Sequence, residues 1–152
     1  MEGICKRLNP SCILLDVKDQ DKQVIIQHLV DALDSAYQLT DPQRLMQDIM
    51  GRERLSTTCI GAGCAVPHAH SVGLETSHIA IARLNEPIEM DAPDGEPVDL
   101  LFLLVGPPRN ALTHLKILSK LARLLHQEQF RALLRSVSTA EQLIDTICDA
   151  EE

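Results

Sequence analysis

Residues 98–105 read Val-Asp-Leu-Leu-Phe-Leu-Leu-Val, a near-continuous apolar run closed by Gly106-Pro107-Pro108. A strand with one wet face alternates apolar and polar residues, and this run does not, so it reads as the central strand of a sheet. Upstream, 78–84 (HIAIARL) alternates and reads as a second strand. Residues 88–90 are short and flanked by turn residues, including Asp94-Gly95. Near the amino end, 12–17 (CILLDV) is a further short strand at the edge or in the core.

Between and beyond these runs the pattern is helical. Val24, Ile25, His28, Leu29, Ala32, Leu33 and Ala36 recur at three- and four-residue steps, with Asp19 and Asp21 at the positive end. A second helix starts at Thr40-Asp41-Pro42-Gln43, with Thr40 and Gln43 in capping-box form, and fades near Met50-Gly51. Leu45 and Ile49 face inward. In the last third, Leu112, Leu115, Leu118, Leu121, Ala122 and Leu125 form one stripe. A shorter helix covers 130–137, and a capping-box pattern over 138–141 opens a last helix with Leu143, Ile144 and Ile147 inside. Strand, helices, several strands, then helices is not strict βαβ alternation. It predicts a layered α+β domain with a mixed sheet.

The chain has 152 residues, a size suited to one domain over 1–152. Aromatics are only Tyr37, Phe102 and Phe130, so the core is aliphatic. Fourteen basic against 22 acidic residues give a net charge of −8. With neither a basic stripe nor stacking rings, nucleic acid is not an expected partner. No run is long enough to span a bilayer and no polybasic patch is present. Residues 1–10 lack the apolar stretch of a signal peptide, which predicts a soluble, cytoplasmic protein. Five cysteines, Cys5, Cys12, Cys59, Cys64 and Cys148, are odd in number, irregular in spacing and without a CxxC pair. The expectation is mostly buried apolar thiols, not a disulfide framework.

Residues 61–70 (GAGCAVPHAH) carry the chemistry. Gly61 and Gly63 tolerate positive φ and let backbone N–H groups approach an anion. Pro67 fixes its own φ and holds Val66 extended, so His68 follows a stiff hinge at the end of an extended segment. A histidine held there presents one ring nitrogen outward while the other is tied down, which suits a nucleophile or a metal ligand. Ordinary imidazole, with a pKa of about 6.5, is largely neutral near pH 7. His114 lies near the start of the long helix, on its inward face, at a positive end that disfavours imidazolium and welcomes phosphate. Two converging histidines can share a phosphoryl group, one bonded to it and one gripping its oxygens.

Arg52-Glu53, Thr57-Thr58, Ile60-Gly61-Ala62-Gly63 and Ala65-Val66-Pro67-His68 together resemble the active-site signature of IIA proteins of the bacterial phosphotransferase system (PTS). Within that group the chain is similar to the nitrogen-regulatory (PtsN-like) and fructose/mannitol IIA type-2 domains. Pro87-Ile88 with Asp91-Ala92, Pro97 to Phe102, and Thr113-His114-Leu115 with Leu118-Ser119 extend the match. The resemblance implies a three-layer α/β/α domain with helices on both faces of a mixed sheet. It implies phosphorylation of His68, as a tele-phosphohistidine, by the histidine carrier HPr or its nitrogen-branch paralogue NPr. It makes His114 the second active-site histidine, Arg52 a phosphate-stabilising cation, and Thr58, Gly61 and Gly63 a phosphate-binding loop. No cofactor or metal is implied, because the donor is already a phosphoramidate. The function so implied is a phosphocarrier acting as a nitrogen- or potassium-type regulator. The alternative is a fructose/mannitol-type IIA component passing phosphate to a IIB domain.

One further reading competes. Cys59, Cys64, His68 and His70, spaced C-x4-C-x3-H-x-H, invite a zinc-binding interaction module, although structural zinc sites use tighter Cys pairs and wider His pairs. His70 otherwise reads as a solvent-facing neighbour of His68. His28 reads as partly buried in mid-helix, and His126 as a helix-end cation. The surface around His68 is expected to be apolar with a polar rim, with Val66, Ala69, Val72 and Leu74 as contacts.

Overall fold

A computed structural model describes residues 3–152; Met1 and Glu2, the start of the segment judged to lack a signal peptide, lie outside the described residues. Six strands, β1 (Ile13–Val17), β2 (Cys59–Gly61), β3 (Cys64–Ala65), β4 (His68–His70), β5 (His78–Ile88) and β6 (Val98–Gly106), form one sheet. Its order is β1-β5-β6-β3-β2, with β4 also paired to β6. The β1–β5, β3–β6 and β4–β6 pairs are parallel, and β5–β6 and β2–β3 are antiparallel, so the sheet is mixed as expected.

The apolar run on β6 is central because both of its faces are covered. Leu101, Leu103 and Val105 enter one core with Ala80 and Ala82 of β5, roofed by α1 (Lys22–Tyr37) and α2 (Pro42–Leu55). Leu100, Phe102 and Leu104 enter the other with Ile79 and Ile81, under α3 (Ala111–Leu125), α4 (Glu128–Ser136) and α5 (Ala140–Glu151). The two-residue period of a strand deals successive side chains to opposite layers, so a run apolar at every position needs helices on both sides. This is the three-layer α/β/α arrangement.

Several local expectations shift by a residue or more. Asp41, not Thr40, caps α2, accepting from the Arg44 N–H at 3.0 Å, with Pro42 behind it. That helix also runs through Gly51 to Leu55, because Ile49 and Glu53 on its inner face are buried and outweigh the glycine. Thr139 and Gln142 form the capping box of α5, one residue later than the pattern over 138–141. On α1 the buried stripe is Ile25, Ile26, Leu29, Val30 and Leu33, leaving Val24 and His28 outside; His28 pairs with Asp19 at 3.0 Å. On α3 it is His114, Ile117, Leu121, Leu124 and Leu125, and Leu112 and Leu115 are exposed.

The cysteine expectation is corrected at one pair. Cys5 and Cys148 form a disulfide with Cα atoms 5.0 Å apart. Chain ends that meet in space cannot be seen from spacing along the sequence. Here α5 lies against the amino-terminal turn, and the Glu151 carboxylate accepts from the Ile4 and Cys5 N–H groups at 2.6 and 2.9 Å. Cys12, Cys59 and Cys64 are buried thiols, as read. Among the described residues no helix is long and apolar enough to cross a membrane.

Candidate functional site

β4 is three residues long and runs parallel to the end of β6, pairing His68 with Leu104, Ala69 with Val105 and His70 with Gly106. Ala69 points into the core beneath α1 and α2. Strand alternation therefore sends His68 and His70 to the opposite face, where α3 begins. Pro67, without an N–H, still accepts from the Leu104 N–H at 2.9 Å, so the hinge before His68 is anchored to the central strand.

His68 is half-buried, and its Nδ1 lies 2.7 Å from the Val66 carbonyl oxygen. A carbonyl only accepts, so Nδ1 carries the proton and Nε2 keeps its lone pair. Burial holds the pKa of His68 below the ordinary imidazole value, opposed by the bond to Val66. The Arg52 charge lowers it further and the Glu53 charge raises it. Both residues sit on the last turns of α2. Arg52 donates to Ser56 Oγ at 3.3 Å, while the buried Glu53 carboxylate is fixed by Lys22 Nζ at 2.7 Å and by the Thr58 hydroxyl at 2.8 Å.

His114 occupies the first turn of α3 and is 4% exposed. Its ring centroid is 5.7 Å from that of His68, the planes 54° apart. Neither of its ring nitrogens has a hydrogen-bond partner. Burial first, then His70 and His68, push its pKa down to about 4. Buried nitrogens left empty are costly, and the one that carries the proton is the donor an incoming anionic oxygen would satisfy.

The structure brings His68 and His114 together, with Arg52 near enough for its charge to act on His68, and it corrects the phosphate-binding loop. Cys64 pairs with Leu100 whereas His68 pairs with Leu104, so the Gly61–Gly63 turn lies four strand residues away, about 13 Å at ~3.3 Å per residue. The loop has the anion-seeking character read from its glycines, with Gly61, Ala62 and Gly63 all at positive φ. Its anion is the chain's own: the Ala62 N–H donates to Asp94 at 2.8 Å. Asp94 is therefore more than a turn residue. The Thr58 hydroxyl is likewise committed to Glu53. The zinc reading fails because Cys59 and Cys64 point into cores on opposite sides of the sheet. Among the described residues no group of three or more His, Cys, Asp or Glu is placed to hold a metal ion.

Sequence reasoning missed two features. His70 is exposed as expected, but its ring packs against His114 with centroids 4.3 Å apart. Of the four named apolar contacts, Val66, Ala69 and Leu74 are buried; the exposed apolar residues beside the histidines are Val72, Leu112 and Leu115. The spacing of α3 held the signal: with His114 inward, as read, Ile117 and Leu121 share its face and Leu112 and Leu115 do not.

A free imidazole nitrogen beside a second, unsatisfied imidazole can accept an anionic group on one ring and grip it with the other. A family model described as phosphoenolpyruvate-dependent sugar phosphotransferase system, EIIA 2, matches residues 6–150, and the chain belongs to that family. Membership implies phosphoryl transfer between proteins. The nitrogen regulatory protein of Pseudomonas aeruginosa is 32% identical over 144 residues, covering 95% of this chain and 94% of that one. The fructose-specific EIIABC component of Bacillus subtilis is 33% identical over 144 residues, 95% of this chain but 23% of that protein. The crystal structure of the nitrogen regulatory protein IIA-Ntr from Neisseria meningitidis superposes with a TM-score of 0.88 at 33% identity, covering 95% of this chain and 98% of that one.

Proposed function

We propose that this protein is a nitrogen-regulatory-type phosphocarrier that takes a phosphoryl group on His68 Nε2 from phosphorylated HPr or NPr. The bond from His68 Nδ1 to the Val66 carbonyl carries the proposal, because it leaves Nε2 as the nucleophile. The lowered pKa keeps that nitrogen unprotonated at neutral pH. Nε2 attacks phosphorus in line; the new N–P bond forms as the carrier's N–P bond breaks, and the carrier imidazole leaves with the electron pair. The Nδ1 proton stays on His68, shared with Val66. His114 and Arg52 hold the phosphoryl oxygens, so catalysis is positioning and charge stabilisation, with the donor bond itself supplying the driving force.

Val72, Leu112 and Leu115, each more than half exposed, give the carrier an apolar landing around the histidines. Phosphorylation adds nearly two negative charges to that face and so changes which partners it accepts. This supports a regulator of nitrogen or potassium control. A second reading, phosphate relay to a IIB domain for sugar uptake, is favoured by the likeness to the fructose-specific relative.

Incubation with phosphorylated HPr and NPr, followed by intact-mass measurement, tests the proposal. The wild type gains one phosphoryl group and His68→Ala gains none; a labelled His68→Ala refutes the assignment. A deletion strain with normal sugar uptake but altered potassium or nitrogen control supports the regulator, and lost uptake supports the relay.

A further inference from the structure

His70 lies closer to His114 than His68 does. Its ring centroid is 4.3 Å from that of His114, at an interplanar angle of 45°, against 5.7 Å for His68. Strand alternation places it on the same face as His68, two residues further along β4. No polar contact fixes the orientation of His114, because both ring nitrogens lack a partner. The torsion that turns an imidazole about its Cβ–Cγ bond is broad, so an unbonded ring is oriented by packing alone.

We propose that His70 is a positioning residue whose ring, laid against His114, turns that imidazole so that one nitrogen meets the phosphoryl oxygens on His68. This rests on His68 being the acceptor. Aromatic ring contacts of ordinary strength bias a choice between two orientations by about two- to tenfold. The flat ring supplies the effect, so another planar aromatic side chain at position 70 substitutes for it.

The test pairs single-turnover transfer from phosphorylated HPr with the ring 15N and 1H signals of His114 in unphosphorylated protein. His70 is exposed at a strand end, so its variants keep the fold, which an unchanged unfolding midpoint checks. In His70→Ala the plateau transfer rate falls, by up to about tenfold where the other orientation takes over. The half-saturating carrier concentration stays the same and the His114 signals move. His70→Phe returns rate and signals toward wild type. Wild-type rates in His70→Ala, unmoved His114 signals, or a His70→Phe as slow as His70→Ala each overturn the proposal. A wild type that takes no phosphoryl group overturns the acceptor reading instead. The two failures are distinguishable because the ring signals are read without phosphate.

Discussion

His114 couples function to acid stability. Its imidazole is buried and its pKa is pushed down to about 4, below the ordinary 6.5 of an unfolded chain. Between these values the unfolded state binds the extra proton, so stability is intact above pH 6.5 and is lost as pH falls. At about 1.4 kcal/mol per pH unit, the loss by pH 5 is about 2 kcal/mol. Urea unfolding at pH 7 and pH 5 reads this loss, and His114→Gln flattens it. For His68 the sign carries over to rate: protonation blocks Nε2, and its lowered pKa moves acid inactivation below the ordinary imidazole range. A pH profile of phosphoryl acceptance that declines already at pH 7 contradicts this. His68 and His114 could be picked out from sequence because each follows a strong local signal, Pro67 and a helix start. The role of His70 could not, since its ring meets His114 only through the pairing of β4 with β6 and the docking of α3.

Glycines separate what each element does. Gly63 sits at φ +79, and a Cβ there would lie 2.5 Å from Arg135 Nη2 and 3.0 Å from Asp99 Oδ1. Arg135 cannot easily yield, being held by Asp99 at 2.8 Å and by the Ala62 carbonyl at 2.8 Å. Gly63→Ala therefore costs at least about 1 kcal/mol. Because the turn is remote from His68, the folded fraction still accepts phosphate at the wild-type rate; a specific loss of transfer without loss of stability would restore the cradle read from sequence. Gly51 is the opposite case, a helical glycine whose added Cβ meets only Arg54 Nη2 at 3.8 Å. Gly51→Ala should stabilise by about 0.5–1 kcal/mol, seen as a raised thermal midpoint. Element types were readable because β6 is apolar at every position and the helices are periodic. The boundary of α2 was not, because Glu53 on its last turn is tied to Lys22 at the start of α1, a contact distant in sequence, as well as to nearby Thr58. The face of α3 was misjudged because leucines sit on both sides of it: Leu112 and Leu115 point outward while His114, Ile117 and Leu121 are buried.

That outward placement gives the molecule one apolar face at the site, on a chain whose net charge is −8. Leu115→Asp leaves both cores intact and should raise the half-saturating concentration of phosphorylated carrier without lowering the plateau rate, the reverse of the pattern expected at His70. The cores themselves are closed elsewhere by a single covalent tie. The Cys5–Cys148 disulfide spans 143 residues and pins the amino-terminal turn to α5, where Glu151 also holds Lys120 at 3.5 Å. Cross-linking so distant a pair removes much of the freedom of the unfolded chain, and bonds of this kind typically contribute about 2–4 kcal/mol. For a chain of this length, that corresponds to roughly 5–15 °C in the unfolding midpoint. Cys148→Ser should lose it, and reductant should lower the wild type to the same midpoint while leaving the variant unmoved. Thiol titration of the denatured wild type should give the three free cysteines before reduction and all five after it. Five reactive thiols from the outset, with a midpoint indifferent to reductant, would mean that the two chain ends are held together by Glu151 and packing alone.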